Sequence, residues 1–305
     1  MIERFNFYDV YGYFLPGFGL LGLIWLPFGL FKQSWPSKEV GSALIAVVLA
    51  YIVGHLIQIL ATQALPSRTK DSFGNSRYPS DFFLDPEDPT FSKQFKEQLA
   101  SVVRSSFGID LTVEKAPARK NDPEFATVTK GRQDAFFLSR GVLIREKIAA
   151  YPEQFEGMYT LMRGLATASF FGFAYFVGWT SAISQAECLT KLAIGFLTLA
   201  LACIVIFAFL PIRFSVSPAM RAWLEKTSLA AFLLAFLCSG HLCGLRSVNS
   251  GSQAALLGGL ATVSLILFLR FFTAYKSFAQ EFAKAIWRDY VGHSRVAVRY
   301  NDTVE

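Results

Sequence analysis

Charge is scarce in this chain. Asp, Glu, Lys and Arg make up 17% of its 305 residues, where a soluble globular domain carries about a quarter. The shortage is uneven, because whole runs of the sequence hold no charge at all. Histidine is rarer still, with only His55, His241 and His293. There is no GxSxG, HExxH or CxxC motif, and no glycine-rich phosphate loop followed by Lys. Few carboxylates fall inside the apolar runs, as an intramembrane protease or a proton-coupled pump would require. The chain is therefore expected not to be an enzyme and to need no cofactor. Its four cysteines, Cys188, Cys203, Cys238 and Cys243, lie mostly in apolar runs and read as small buried hydrophobes, not as a disulfide framework. Cys238 and His241 share a helical face, but Cys243 does not, and no fourth ligand is near, so no metal site is expected.

Apolar residues fill the space that charge leaves. They make up 53% of the chain, 31 of them Phe, and the mean hydropathy is +0.38. Residues 164–183 contain no charge; a helix of that length is about 30 Å long and matches the hydrocarbon core of a bilayer. Similar runs occupy 11–31, 42–65, 192–211 and 228–245, and a sixth begins at 254. The expected fold class is all-α: a polytopic membrane protein of about six transmembrane helices, with a mainly helical cytoplasmic insert between the second and third. A β-barrel would show short alternating segments instead. The first run is too long for a signal-peptide core and is followed by no small-residue cleavage site, so it reads as a retained span. Its Pro16-Gly17 and Pro27 predict a kinked crossing, tolerated where neighbouring helices satisfy the freed carbonyls.

Four segments follow: 1–65, an interfacial segment with spans one and two; 66–151, the insert; 152–273, spans three to six with a lead-in helix; and 274–305, a C-terminal helix and tail. The insert region, 66–163, balances 15 Lys/Arg against 14 Asp/Glu, so bulk charge does not make it a nucleic-acid domain. Residues 67–90 read as loop. Asp88-Pro89 and Asp122-Pro123 each read as N-cap and first helical residue. Between them, Phe91, Phe95, Leu99, Val102 and Val103 form an apolar stripe that Gly108 should close. Residues 109–114 suggest a short strand, and Gly131 and Gly141 suggest breaks in the helix that follows. Pro152 is placed to open the lead-in helix. Near the C-terminus, Phe271, Tyr275, Phe278, Phe282 and Ala285 step by four and three, a short seam suited equally to a coiled coil or to docking on the insert. Loop charges put all the basic segments on one side of the membrane if there are six spans. Both termini and the insert are then cytoplasmic.

Some polar residues stand out against this background. His55 and Gln58 share a face inside the second span, and Tyr159 and Arg163 lie one turn apart on the lead-in helix. These four are the pore or gate candidates; the competing readings are hydrogen bonds between helices and headgroup anchors. Arg119, Lys120, Lys130, Arg132, Arg140 and Arg145 are candidates for an anionic, nucleotide-bearing ligand. Interspersed acids also allow a plain solvated face.

Three stretches carry a resemblance: FNFYDVYGYFLPGFGLL at 5–21, AYIVGHLIQIL at 50–60 and FEGMYTLMRGLA at 155–166. They look like membrane proteins of prokaryotic anti-phage defence loci, and the architecture is similar to the membrane effectors of Hailong systems. The resemblance implies a homo-oligomeric effector in the lipid bilayer of a bacterial inner membrane. Such an effector is controlled by a nucleotide or DNA oligomer from a partner enzyme and depolarises the cell on opening. It implies no catalytic residue. The alternative is a membrane-anchored sensor or adaptor with a cytoplasmic binding domain and no pore.

Overall fold

In the computed structural model, the described residues are 9–32, 40–65, 69–70, 76–111, 123–184 and 251–302. Among them the fold is helical, apart from one pair of two-residue strands. A π-helical turn, Val10–Phe14, runs into α1 (Leu15–Lys32), and α2 spans Val40–Ala64. Strands β1 (Thr69–Lys70) and β2 (Ser76–Arg77) pair antiparallel, Thr69 opposite Arg77. Then come α3 (Pro79–Phe82), α4 (Lys93–Phe107), α5 (Pro123–Arg145), α6 (Ala150–Ser184) and α7 (Gly251–Asp302). Among the described residues, four helices are long and apolar enough to cross a membrane: Val10–Phe31, Gly41–Ala64, Ala150–Thr180 and Leu256–Ser294. The expected spans at 192–211 and 228–245, all four cysteines and His241 lie outside the described residues.

The chain divides into two compact units: Met1–Leu65 with Thr160–Tyr275, and Pro66–Tyr159 with Lys276–Glu305. Of the three boundaries, the one at 65/66 follows α2, and the other two fall inside helices, within α6 and within α7. In the first unit, Leu20 of α1, Ile57 of α2, and Ala168 and Phe171 of α6 form one buried cluster. Tyr175, Phe176 and Trp179 of α6 form another with Leu257 and Ala261 of α7. Helices α1 and α2 cross at contact distance because Gly17 and Gly54 carry no side chain. A Cβ on Gly17 would sit 2.6 Å from the Gly54 nitrogen, and one on Gly54 would collide with the Tyr13 backbone. Small residues at such crossings are how membrane helices gain dispersion contacts where no hydrophobic effect drives association. The outward side of α2 is apolar too, with Leu44, Ile45, Ile52 and Ile59 all more than half exposed. Lipid, not water, suits that face.

The second unit has a conventional core. Leu99 and Val103 of α4, Phe136 and Leu143 of α5, and Ile286, Trp287 and Tyr290 of α7 are buried together with Phe83, Leu84 and Phe91. The apolar stripe on α4 thus faces inward as its spacing required. Gly108 closes that helix at φ 69°, its N–H donating to the Arg104 carbonyl. Of the C-terminal seam, Phe282 packs against the core of the insert, and the residues of α7 that enter that core are a different set, Ala283, Ile286, Trp287, Tyr290 and Val291.

Local readings need correction. Helix α4 starts at Lys93, capped by the Ser92 hydroxyl, which accepts from Phe95 N. Asp88 instead folds a local turn, accepting from Thr90 N at 2.9 Å. Residues read as loop include β1, β2 and α3. Ile109–Leu111 form no strand, and the rest of that predicted strand lies outside the described residues. Neither Gly131 nor Gly141 breaks α5, since burial along the helix outweighs about 1 kcal/mol of glycine propensity each. Helix α5 ends instead after Arg145, and Lys147 beyond it is left-handed with a φ of 58°. Ile148 N donates to Leu143 O, and Lys147 N to Ile144 O, the paired pattern of a Schellman stop. Helix α6 begins at Ala150, two residues before Pro152, which still falls in the first turn where an N–H has no intrahelical acceptor.

Candidate functional site

In the first unit the polar residues of the spans converge on one point. Pro16 has no N–H, so the Gly12 carbonyl one turn earlier lacks its helical donor. The preceding π-turn, in which Leu15 N reaches back to Val10 O, already departs from α-helical pairing. The Gln58 amide of α2 reaches this carbonyl: Nε2 donates to Gly12 O at 2.6 Å and to Thr160 O of α6 at 2.9 Å. Its Oε1 accepts from Arg163 Nη2 at 3.2 Å. One side chain, 6% exposed, thereby ties the π-turn, α2 and α6 together. Gly164 leaves the room for it, because a Cβ there would meet the Gln58 amide and lie 2.6 Å from Pro16 Cγ. One turn away, the His55 ring stacks on Tyr13 with centroids 3.9 Å apart and planes 5° from parallel. His55 Nδ1 lies 3.0 Å from Tyr51 O, a geometry served by the Nδ1–H tautomer. The three stretches that carried the family resemblance supply this node.

The basic candidates divide differently. Arg119 and Lys120 lie outside the described residues. Lys130 and Arg145 are exposed on α5, 15 residues and therefore about 22 Å apart along the helix. One small anion cannot touch both. Arg132 is fully buried and faces the chain's own carboxylates. Its Nη1 lies 2.6 Å from Asp85 Oδ1, and its Nε donates to Leu111 O. Arg77 completes this cluster, bidentate on Asp81 at 2.6 and 2.8 Å and 2.6 Å from Asp85 Oδ2. Burial works against the Arg77 charge, but hydrogen bonds and charge from Asp81 and Asp85 outweigh it and hold its pKa above the ordinary arginine value. Lys96 donates to the Asp85 and Asp88 carbonyls, and burial pushes its pKa below the ordinary lysine value despite the nearby carboxylates. The cluster joins the start of the insert to α4 and α5. Its signal in the sequence is Arg77, Asp81 and Asp85 at four-residue steps, within a stretch too rich in Ser, Pro and Gly to suggest burial.

Arg140 has a different place. Its Nη2 lies 2.6 Å from Glu156 Oε2, and its guanidinium carbon lies 5.8 Å from the centroid of the Phe282 ring. Both acid and base line a cavity of about 280 Å³ in the second unit, walled also by Phe136, Phe137, Tyr159 and Gln133. Tyr159 is 5.9 Å from Phe282, centroid to centroid. Two residues chosen for separate reasons, Arg140 and Tyr159, thus meet in one pocket. Glu156 and Gln133 carry no signal of this site in the sequence, and Phe282 stands out there only as part of the C-terminal seam. No helical period links α5 to α7 across 140 residues, so only the fold could assemble them. No known protein family, curated protein or solved structure matches this chain.

Proposed function

We propose that this chain is the membrane effector of a bacterial anti-phage defence system. It is a homo-oligomer whose spans form a pore and whose insert domain controls it. The observation that carries this reading is Arg163: a charged side chain 9% exposed inside a candidate span, held by Gln58 of a second span. Ionisable groups at such depth are costly and mark paths and switches by default. Helix α6 supports it further, since its first turns belong to the insert unit and the rest to the span unit. A change in the insert has a continuous helix along which to act. The six-span topology and the cytoplasmic insert, resting on loop charges, and the inner membrane, resting on the resemblance, belong to the same proposal. An anionic ligand made by a partner enzyme would meet Lys130 or Arg145, since Arg132 is buried.

The test is ion flux. Purified protein in liposomes, and the chain induced in cells carrying a potential-sensitive dye, should depolarise the membrane when activated. Gln58→Leu and Arg163→Leu should change that flux at equal protein levels. Unchanged flux in both variants refutes the role given to these residues. One observation favours a second reading, the anchored sensor or adaptor: the Gln58 hydrogen bonds to Gly12, Thr160 and Arg163 join helical segments to one another. That reading predicts no flux from the wild type under any condition, with partner binding retained.

A further inference from the structure

The cavity in the second unit selects against the ligand that its arginine first suggests. Among its described lining residues, Arg140 is the one basic side chain and Glu156 the one acid. The two lie 2.6 Å apart, so the wall is electrically balanced. An incoming phosphate or carboxylate would have to displace Glu156 from Arg140 or sit beside its charge, and either is unfavourable. An incoming cation faces Arg140 in the same way. The remaining wall is mostly aromatic: Phe136, Phe137, Tyr159 and Phe282, joined by Tyr78. Gln133 adds an amide that can donate and accept. About 280 Å³ lies at the small end of ligand pockets, enough for one or two rings with a short substituent. Phe137 is 63% exposed, so the cavity reaches the protein surface at a large apolar side chain that a bound ring would cover.

The geometry points to a binding site for a small, uncharged, planar aromatic molecule bearing an amide-like group. Its ring stacks among Phe136, Phe137 and Phe282, and its polar end meets the Arg140–Glu156 pair and Gln133. The site is distinct from any surface for an anionic ligand at Lys130 or Arg145. Its walls come from α3 and α5, which belong wholly to the insert unit, and from the parts of α6 and α7 in that unit. Occupancy would therefore fix the insert helices against those two.

Saturation-transfer NMR on the full chain in nanodiscs tests this with three molecules of similar size: benzamide, benzoate and cyclohexanecarboxamide. Benzamide should bind at least tenfold more tightly than either of the others. Ala279→Phe, which fills the cavity from α7, should abolish the benzamide signal. Phe137→Ala, at an exposed position that folding does not need, should weaken it at least threefold with an unchanged melting midpoint. Glu156→Gln should raise benzoate affinity at least fivefold by removing the competing carboxylate. Equal binding of benzoate and benzamide to the wild type overturns the assignment, as does the absence of signal from all three molecules. A benzamide signal that survives both Ala279→Phe and Phe137→Ala is partitioning into lipid, and overturns it too. The assignment does not rest on the effector reading: binding is measured on purified protein and flux in vesicles, so each can fail alone.

Discussion

Gln58 can be tested through the residue whose defect it repairs. Replacing Gln58 with Leu keeps the volume and removes two donors and one acceptor. The Gly12 carbonyl then lacks both the N–H four residues on, because residue 16 is proline, and the Gln58 donor. An unsatisfied buried carbonyl costs roughly 1–3 kcal/mol, and interhelical hydrogen bonds in membrane bundles average about 0.6 kcal/mol with a maximum near 1.7. The loss for Gln58→Leu should therefore be about 1–3 kcal/mol, divided among Gly12, Thr160 and Arg163. Pro16→Ala restores an N–H one turn after Gly12 and lets the helix satisfy its own carbonyl. In that background Gln58→Leu should cost about 1 kcal/mol less. Pro16→Ala also removes ring contacts near Gly164, but that loss occurs in both arms of the cycle and cancels. The assay is reversible unfolding of the four proteins in mixed micelles, read by tryptophan fluorescence. A coupling below about 0.3 kcal/mol, within the usual error of additivity, would refute the claim that Gln58 serves the proline-freed carbonyl.

Three further outcomes follow from the second unit. Asp85→Asn leaves Arg77 and Arg132 sharing one buried carboxylate and should cost about 3–5 kcal/mol, seen as a fall in the thermal midpoint. Lys96 is pushed below its ordinary pKa by burial. The unfolded chain therefore binds more protons over the window from that lowered value up to about 10.4, and stability should rise with pH there. Thermal midpoints of wild type and Lys96→Met should draw apart in the wild type's favour as pH rises through this window, and parallel curves would refute it. Lys147→Gly relieves a left-handed residue of a side chain that costs roughly 1–2 kcal/mol there. Part of the gain is returned in unfolded-state entropy, so the midpoint should rise by the equivalent of about 0.5–1 kcal/mol.

The legible features of the sequence were those set by local periodicity or by sheer apolar length. The stripe from Phe91 to Val103, the Gly108 stop and the long runs of the spans needed no tertiary information. The general condition for proline in a span, that neighbouring helices satisfy the freed carbonyl, was readable as well. The partner was not, since nothing local ties Gln58 to Gly12 and Thr160. Arg132 shows the opposite failure. In sequence it belongs to a basic cluster with Lys130 and Arg140, but one residue in a helix turns the side chain by 100°, and two carboxylates some 50 positions earlier decide its environment. Helix starts failed where two caps competed: Asp88-Pro89 has the right residue types, but Ser92 stands directly before the apolar stripe and takes the role.

The way α7 completes the insert has a consequence for biosynthesis. The core around Leu99, Phe136 and Leu143 closes only when Ile286, Trp287 and Tyr290 arrive, about 140 residues after the insert has been made. At about 5–20 residues per second, the ribosome needs roughly 7–30 seconds to supply them. Throughout that interval the insert lacks the five buried residues that α7 brings to its core, and it stays exposed to proteases and to other nascent chains while the residues between are still being synthesised. A nonsense mutation between codons 276 and 286 would therefore remove an inner wall of the domain. A fragment ending near residue 150 should be handled by the cell as unfolded protein.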